Sequence, residues 1–161
     1  MLVRGDSRKI WGEYSFRVSK VVNAPKKYVY EWCTDYRDDD GKFSTSKPRF
    51  RVIRPHPKRV VRVRTHPSEG SGEHVAVDLI RLSPPNAWHL DEIDDTDLES
   101  VDYRLTSLGP RRTRVTLVVT ERWLVSDFPD KVETEAGSNR FWDGIVAALE
   151  ESYRSGRPAK G

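Results

Sequence analysis

Between Tyr14 and Val22, Phe16, Val18 and Val22 alternate with Ser15, Arg17 and Ser19, the period-two pattern of a strand with one buried face. The chain then turns at Asn23-Ala24-Pro25, where Asn23 is placed to cap a helix and Pro25 suits its first turn. Val29, Trp32 and Cys33 fall on one side of that short helix, which ends near Trp32. Strand patterns follow at Arg49–Arg54, Arg59–Thr65, His74–Leu82, Trp88–Ile93, Val101–Leu105 and Thr113–Leu124. Turn-prone segments separate nearly all of them: Pro55-His56-Pro57, Pro67 to Gly72, Ser83-Pro84-Pro85-Asn86, Asp94 to Asp97 and Gly109-Pro110. An amphipathic helix through Phe141, Trp142, Ile145, Leu149 and Tyr153 closes the chain. One short helix early, a meander of antiparallel strands and one long helix late describe an α+β protein. Its curved sheet wraps around the last helix and leaves room for a ligand between them.

The length of 161 residues suits one domain, and such a domain buries roughly 70% of the surface its unfolded chain exposes. We expect a single unit over residues 1–161 with its core at about 12–155, residues 1–12 and Arg157 to Gly161 being frayed. With 36% hydrophobic and 33% charged residues, no apolar run reaches the length of a membrane span. Met1 to Asp6 lacks the apolar segment of a secretory signal, and the single Cys33 cannot form an internal disulfide. A reducing cytoplasm is the expected location.

The net charge is only +3 and basic residues are spread along the chain, so nucleic-acid binding is not expected. Arg49, Arg51, Arg54, Arg59, Arg62 and Arg64 fall on two consecutive strands, where alternation would send most of them to one face. A solvated outer sheet face accounts for this, an anionic partner being the alternative.

Little supports a metal or a cofactor. Asp35, Asp38, Asp39 and Asp40 lack the alternating ligand spacing of a calcium loop and read as a solvated turn. His56, His66, His74 and His89 show no zinc-like spacing, and Cys33 reads as a small core residue. Neither a Gly-rich phosphate loop nor a Gly-x-Ser-x-Gly elbow occurs.

The last strand orients the sheet. Val115, Leu117 and Val119 alternate with Arg114, Thr116 and Thr120, so odd positions point inward, and the same parity carries Glu121 and Trp123 inward. An inward carboxylate on an apolar face is costly unless paired, which makes Glu121 a candidate functional group as well as a sign of where the strand leaves the core. Hairpin registers then predict three rows: Arg81, Trp88, Tyr103 and Val115; Leu79, Leu90, Val101 and Leu117; Val77, Glu92, Glu99 and Val119. The candidate pocket has Arg81, Trp88 and Tyr103 at one end and a greasy middle that includes Leu90 and Leu117, with Phe141, Trp142 and Ile145 of the last helix above it. A one-residue slip would reverse every face.

The strand running into Val22-Asn23-Ala24-Pro25, the helix through Val29-Tyr30-Glu31-Trp32, the following Thr34-Asp35, and the final helix after a strand carrying Thr113-Arg114-Val115-Thr116 resemble the START-like superfamily, also called SRPBCC. The polyketide cyclase and dehydrase branch is the most similar. The resemblance spans about residues 12–155 and rests on loose patterns. It implies a helix-grip fold: seven antiparallel strands, two short helices after the first strand, and a long C-terminal helix over a hydrophobic cavity. The polar stretch from Asp38 to Lys47 carries a weak helical signal where the second short helix is expected.

Three functions follow as expectations. The first is binding or carriage of a hydrophobic small molecule: a lipid, a polyketide or another aromatic compound. The second is a cyclase or aromatase in which Glu121 is general base, Tyr103 donates a hydrogen bond to a developing enolate and Arg81 anchors a carboxylate or carrier. The third is a co-chaperone-like protein-binding module using the arginine-rich strands, with a small or filled cavity. Apolar residues on both faces of His74–Leu82 also fit a homodimer.

Overall fold

A computed structural model describes residues 11–43, 47–67, 73–95, 97–124 and 129–157. The expected frayed ends and the turn over residues 68–72 lie wholly or largely outside these residues. The elements are β1 (Trp11–Val22), α1 (Lys26–Thr34), a single 3-10 turn (Asp40–Phe43), β2 (Arg49–His56), β3 (Arg59–Pro67), β4 (Glu73–Ser83), β5 (Ala87–Ile93), β6 (Asp97–Gly109), β7 (Arg112–Leu124) and α2 (Lys131–Arg154). All seven strands form one antiparallel sheet in the order β1-β7-β6-β5-β4-β3-β2, so every neighbour except β1 and β7 is a hairpin partner. The architecture is the expected α+β helix-grip arrangement. Among the described residues one short α-helix follows β1, and a 3-10 turn stands where a second was expected. Gly41 in that turn is packed against Pro48, whose carbonyl oxygen would lie 2.0 Å from an added Cβ.

Helix α1 begins differently from expectation. Pro25 occupies the N-cap without a side-chain bond. Asn23 instead ties β1 to α2, its backbone N–H and its Nδ2 both donating to Glu150 Oε1, at 2.7 and 2.9 Å. Helix α2 is capped by Asp130, which accepts from the amides of Val132 and Glu133 and satisfies two of its otherwise unpaired first-turn donors.

The inner face of the sheet is laid out in straight rows. Val18, Leu117, Tyr103, Trp88 and Leu82 are successive partners in one. Phe16, Val119, Val101, Leu90, Ile80 and Val60 form the next, each no more than 7% exposed. Beyond it the face turns polar from β1 to β3, through Tyr14, Glu121, Glu99, Glu92, Asp78 and Arg62, with the apolar Val52 ending the row on β2. Trp142 and Leu149 of α2 and Val29, Tyr30 and Trp32 of α1 close over the apolar rows.

Two registers differ from those read in the sequence. Trp88 pairs with Leu82, not Arg81, because Ser83 pairs with Ala87 and the connection holds three residues. This odd offset reverses β4, so Arg81, Leu79 and Val77 lie on the outer face and Leu82, Ile80 and Asp78 on the inner one. Tyr103 pairs with Leu117, two residues beyond Val115, the ladder being shifted between Ser107 and Gly109. An even offset keeps the face and moves the row. On the outer face, Ile53, Val75, Leu79 and Ile93 are 41 to 48% exposed, giving the surface that the expected homodimer would have to bury.

Candidate functional site

A cavity of about 270 Å³ opens between the sheet, the end of α1 and the middle of α2. Its walls are aromatic: Trp32, Tyr36 and Phe50 on one side, Trp88 and Tyr103 on the floor, Phe141 and Trp142 above. The indole of Trp88 stacks on the Tyr103 ring with centroids 4.5 Å apart and planes 9° from parallel. Tyr30 of α1 meets the Trp88 edge at 6.0 Å, and Trp142 of α2 meets Tyr103 at 5.9 Å. Both helices thus hold the floor rings in place.

Two arginines also line this cavity. Arg62 and Arg64, two residues apart on β3, both point inward. Their charges are compensated within the wall. Arg62 Nε donates to Asp78 Oδ2 at 2.5 Å, and Asp78 is completely buried. The Arg62 guanidinium also lies 4.4 Å from the Phe50 ring centre and 5.0 Å from that of Tyr36. Arg64 forms an ion pair with Glu92, a carboxyl whose pKa is pushed up by desolvation despite that partner. The expected single arginine face therefore does not form: Arg49 and Arg51 face outward, whereas Arg62 and Arg64 face the cavity.

A second chamber, of about 320 Å³, lies under the N-terminal half of α2. It shares Tyr103, Phe141 and Trp142 with the first, so these side chains stand between the two. Glu99 and Glu121 line it, with Thr134 and Ser138 facing them from α2. Glu121 is 4% exposed and well held: Tyr14 Oη donates to its Oε2 at 3.1 Å and Trp123 Nε1 at 2.7 Å. Glu99, directly opposite on β6, has no hydrogen bond or ion pair among the described residues. Burial, then the charges of Glu92 and Glu121, push its pKa up to about 8. Burial likewise raises Tyr14, with the Glu121 charge adding to it, and Tyr103.

The residues singled out in the sequence divide as follows. Trp88, Leu90 and Ile145 line the first cavity, Leu117 and Glu121 the second, and Tyr103, Phe141 and Trp142 both. Arg81 lines neither. It is on the outer face beside His89, its Nη2 3.4 Å from Asp91 Oδ2, and cannot anchor a ligand inside. Sequence reasoning placed Arg62 and Arg64 on a protein-binding face rather than in the cavity, and passed over Glu99, Tyr36, Phe50 and Asp40 as site residues. Asp40 is 8% exposed and lines the cavity, in contrast to the solvated turn expected there. Cys33 is half-buried and lines it too. The one cluster among the described residues with three close metal-ligating atoms, His74, Asp94 and Asp95, lies at the ends of β4 and β5 with its ligand atoms within 4.8 Å of one another. The sequence hid it because the two strand ends meet only once β4 and β5 pair.

No protein-family model matches the sequence, and no curated protein matches it either. Solved structures do. The crystal structure of Ara h 8.0201 matches with a TM-score of 0.66 at 14% identity, over 89% of this chain and 99% of its own. The ZhuI aromatase/cyclase from Streptomyces sp. R1128 gives 0.65 at 18% identity, over 93% and 99%. TTHA0849 from Thermus thermophilus gives 0.63 at 15% identity, over 89% and 99%. The chain shares the helix-grip fold of these structures, the fold that its resemblance to the START-like sequences implied. Among the described residues, no helix is long and apolar enough to cross a membrane.

Proposed function

We propose that this protein binds a hydrophobic small molecule, a lipid, polyketide or other aromatic compound, between its sheet and α2. The observation that carries the reading is the aromatic cavity whose two arginines, Arg62 and Arg64, are each paired with a carboxylate. A wall of rings and compensated charges favours a flat apolar body over a strongly charged one. The fold similarity to a ZhuI aromatase/cyclase is consistent with such a cavity. Titration with the fluorescent hydrophobe 1-anilinonaphthalene-8-sulfonate tests it. Ile145→Trp should fill the cavity from the half-buried side of α2 and weaken binding tenfold or more, with an unchanged circular dichroism spectrum. Equal affinity in the variant would place the dye elsewhere and remove the cavity reading.

A cyclase-like enzyme is the second reading, favoured by Glu121 and Tyr103 lining one chamber beside a carboxyl that titrates near neutrality. It proceeds without the Arg81 anchor. The protein-binding reading keeps less support, because Arg62 and Arg64 are turned into a cavity that it expected to be filled.

A further inference from the structure

The second chamber differs from the first in its charge. Its lining holds two carboxyl groups, Glu99 and Glu121, the hydroxyls of Thr134 and Ser138, and the rings of Tyr103, Phe141 and Trp142. Among the described residues, no lysine, arginine or histidine lines it. Arg64, the cation whose charge reaches Glu99 across the sheet, is already paired with Glu92. Glu121 receives two neutral donors, from Tyr14 and Trp123, and Glu99 receives none among the described residues. Two opposed carboxyls, one of them without a partner, leave the chamber short of positive charge, and aromatic faces beside them attract a cation further.

We propose that this chamber takes the protonated amine of a small organic cation, seated between Glu99 and Glu121 against the rings of Tyr103, Phe141 and Trp142. The proposal rests on the reading that the cavity between sheet and α2 holds a small molecule. It adds the chemical class of one end. A bare divalent metal is the wrong guest, since Glu92, Glu99 and Glu121 do not bring three ligand atoms within 4.8 Å of one another. In the empty protein the proton that Glu99 holds near neutrality does in part what the amine would do. Glu99 is faced by Glu92 from β5, Glu121 from β7, Tyr14 from β1 and, more distantly, Arg64 from β3; Asp97 is the acidic neighbour on its own strand. From α2 it meets hydroxyls and rings. Binding an ammonium should therefore expel a proton, and affinity should rise as pH approaches and passes the pKa of Glu99.

Three matched probes test this by calorimetry on the whole chain: 4-phenylbutylamine, 4-phenylbutanol and 4-phenylbutyrate. The amine is expected to bind at least tenfold more tightly than the alcohol at pH 8.5, and the carboxylate most weakly. Amine affinity should rise roughly tenfold or more between pH 6.5 and 8.5, while alcohol affinity does not. Buffers of different ionisation enthalpy should show proton release at pH 7 with the amine only. The Glu99→Gln variant should lose both the preference and the release. Equal binding of amine and alcohol, or amine binding without proton release, overturns the cation site and leaves the cavity reading standing. Failure of all three probes and of 1-anilinonaphthalene-8-sulfonate overturns both.

Discussion

Trp88 and Tyr103 are direct cross-strand partners on β5 and β6, and their rings stack at 4.5 Å to form the floor of the cavity. Each is held from above by a different helix, through Tyr30 and Trp142. The pair therefore links the sheet to both helices. Replacing Tyr103 by Ala should cost roughly 3 kcal/mol of stability in urea unfolding, because it removes the stack and leaves a void. Tyr103→Phe keeps the ring and should stay within about 1 kcal/mol of the parent. Equal costs for the two variants would show that the ring contact contributes little.

The Arg62 and Asp78 pair is expected to behave as a buried ion pair. Asp78→Leu alone strands the guanidinium of Arg62 against Phe50 and Tyr36 and should destabilise by about 3–5 kcal/mol. The double variant Arg62→Met with Asp78→Leu should recover most of that loss, since an apolar pair of similar volume avoids both desolvation penalties. Additive losses in a denaturant double-mutant cycle would contradict this account of the pair.

Glu99 gives the fold a pH dependence of defined sign. Its folded pKa of about 8 lies above the ordinary carboxyl value, so the folded chain binds more protons than the unfolded chain between those two limits. Its contribution to stability is present below the unfolded pKa, falls as pH rises from about 4.5 to 8, and is fully lost above that. Glu99→Gln, which cannot ionise, should melt higher than the parent at pH 8.5 by on the order of 5 °C, and with little difference at pH 5. A constant difference across that range would mean that Glu99 does not titrate as its burial beside Glu92 and Glu121 dictates.

Much of the fold was legible because strand alternation and turn chemistry agree along most of the chain. The clean alternation of Val115, Leu117 and Val119 correctly turned Glu121 inward, and the hairpin between β5 and β6 placed Trp88 opposite Tyr103. The candidate site was less legible where alternation fails. In β4, His74 to Leu82 carries apolar residues on both faces, so Leu79 and Ile80 offered equal claims to the core, and one residue of turn length decided between them. That single residue exchanged Arg81 for Leu82 beside Trp88. Val60, Val61 and Val63 on β3 pose the same ambiguity, which hid the inward Arg62 and Arg64. Ion pairing across strands, with Asp78 and Glu92, is what makes those arginines tolerable inside, and it becomes visible only with the registers in hand.

The central claim, that the space between the sheet and α2 holds a hydrophobic small molecule, is tested most directly by native mass spectrometry of freshly purified protein, followed by denaturing extraction. The account predicts one small hydrophobic molecule per chain, and its loss from the Ile145→Trp variant. Protein that emerges empty, and remains empty after incubation with 1-anilinonaphthalene-8-sulfonate and with 2-naphthol, would contradict it.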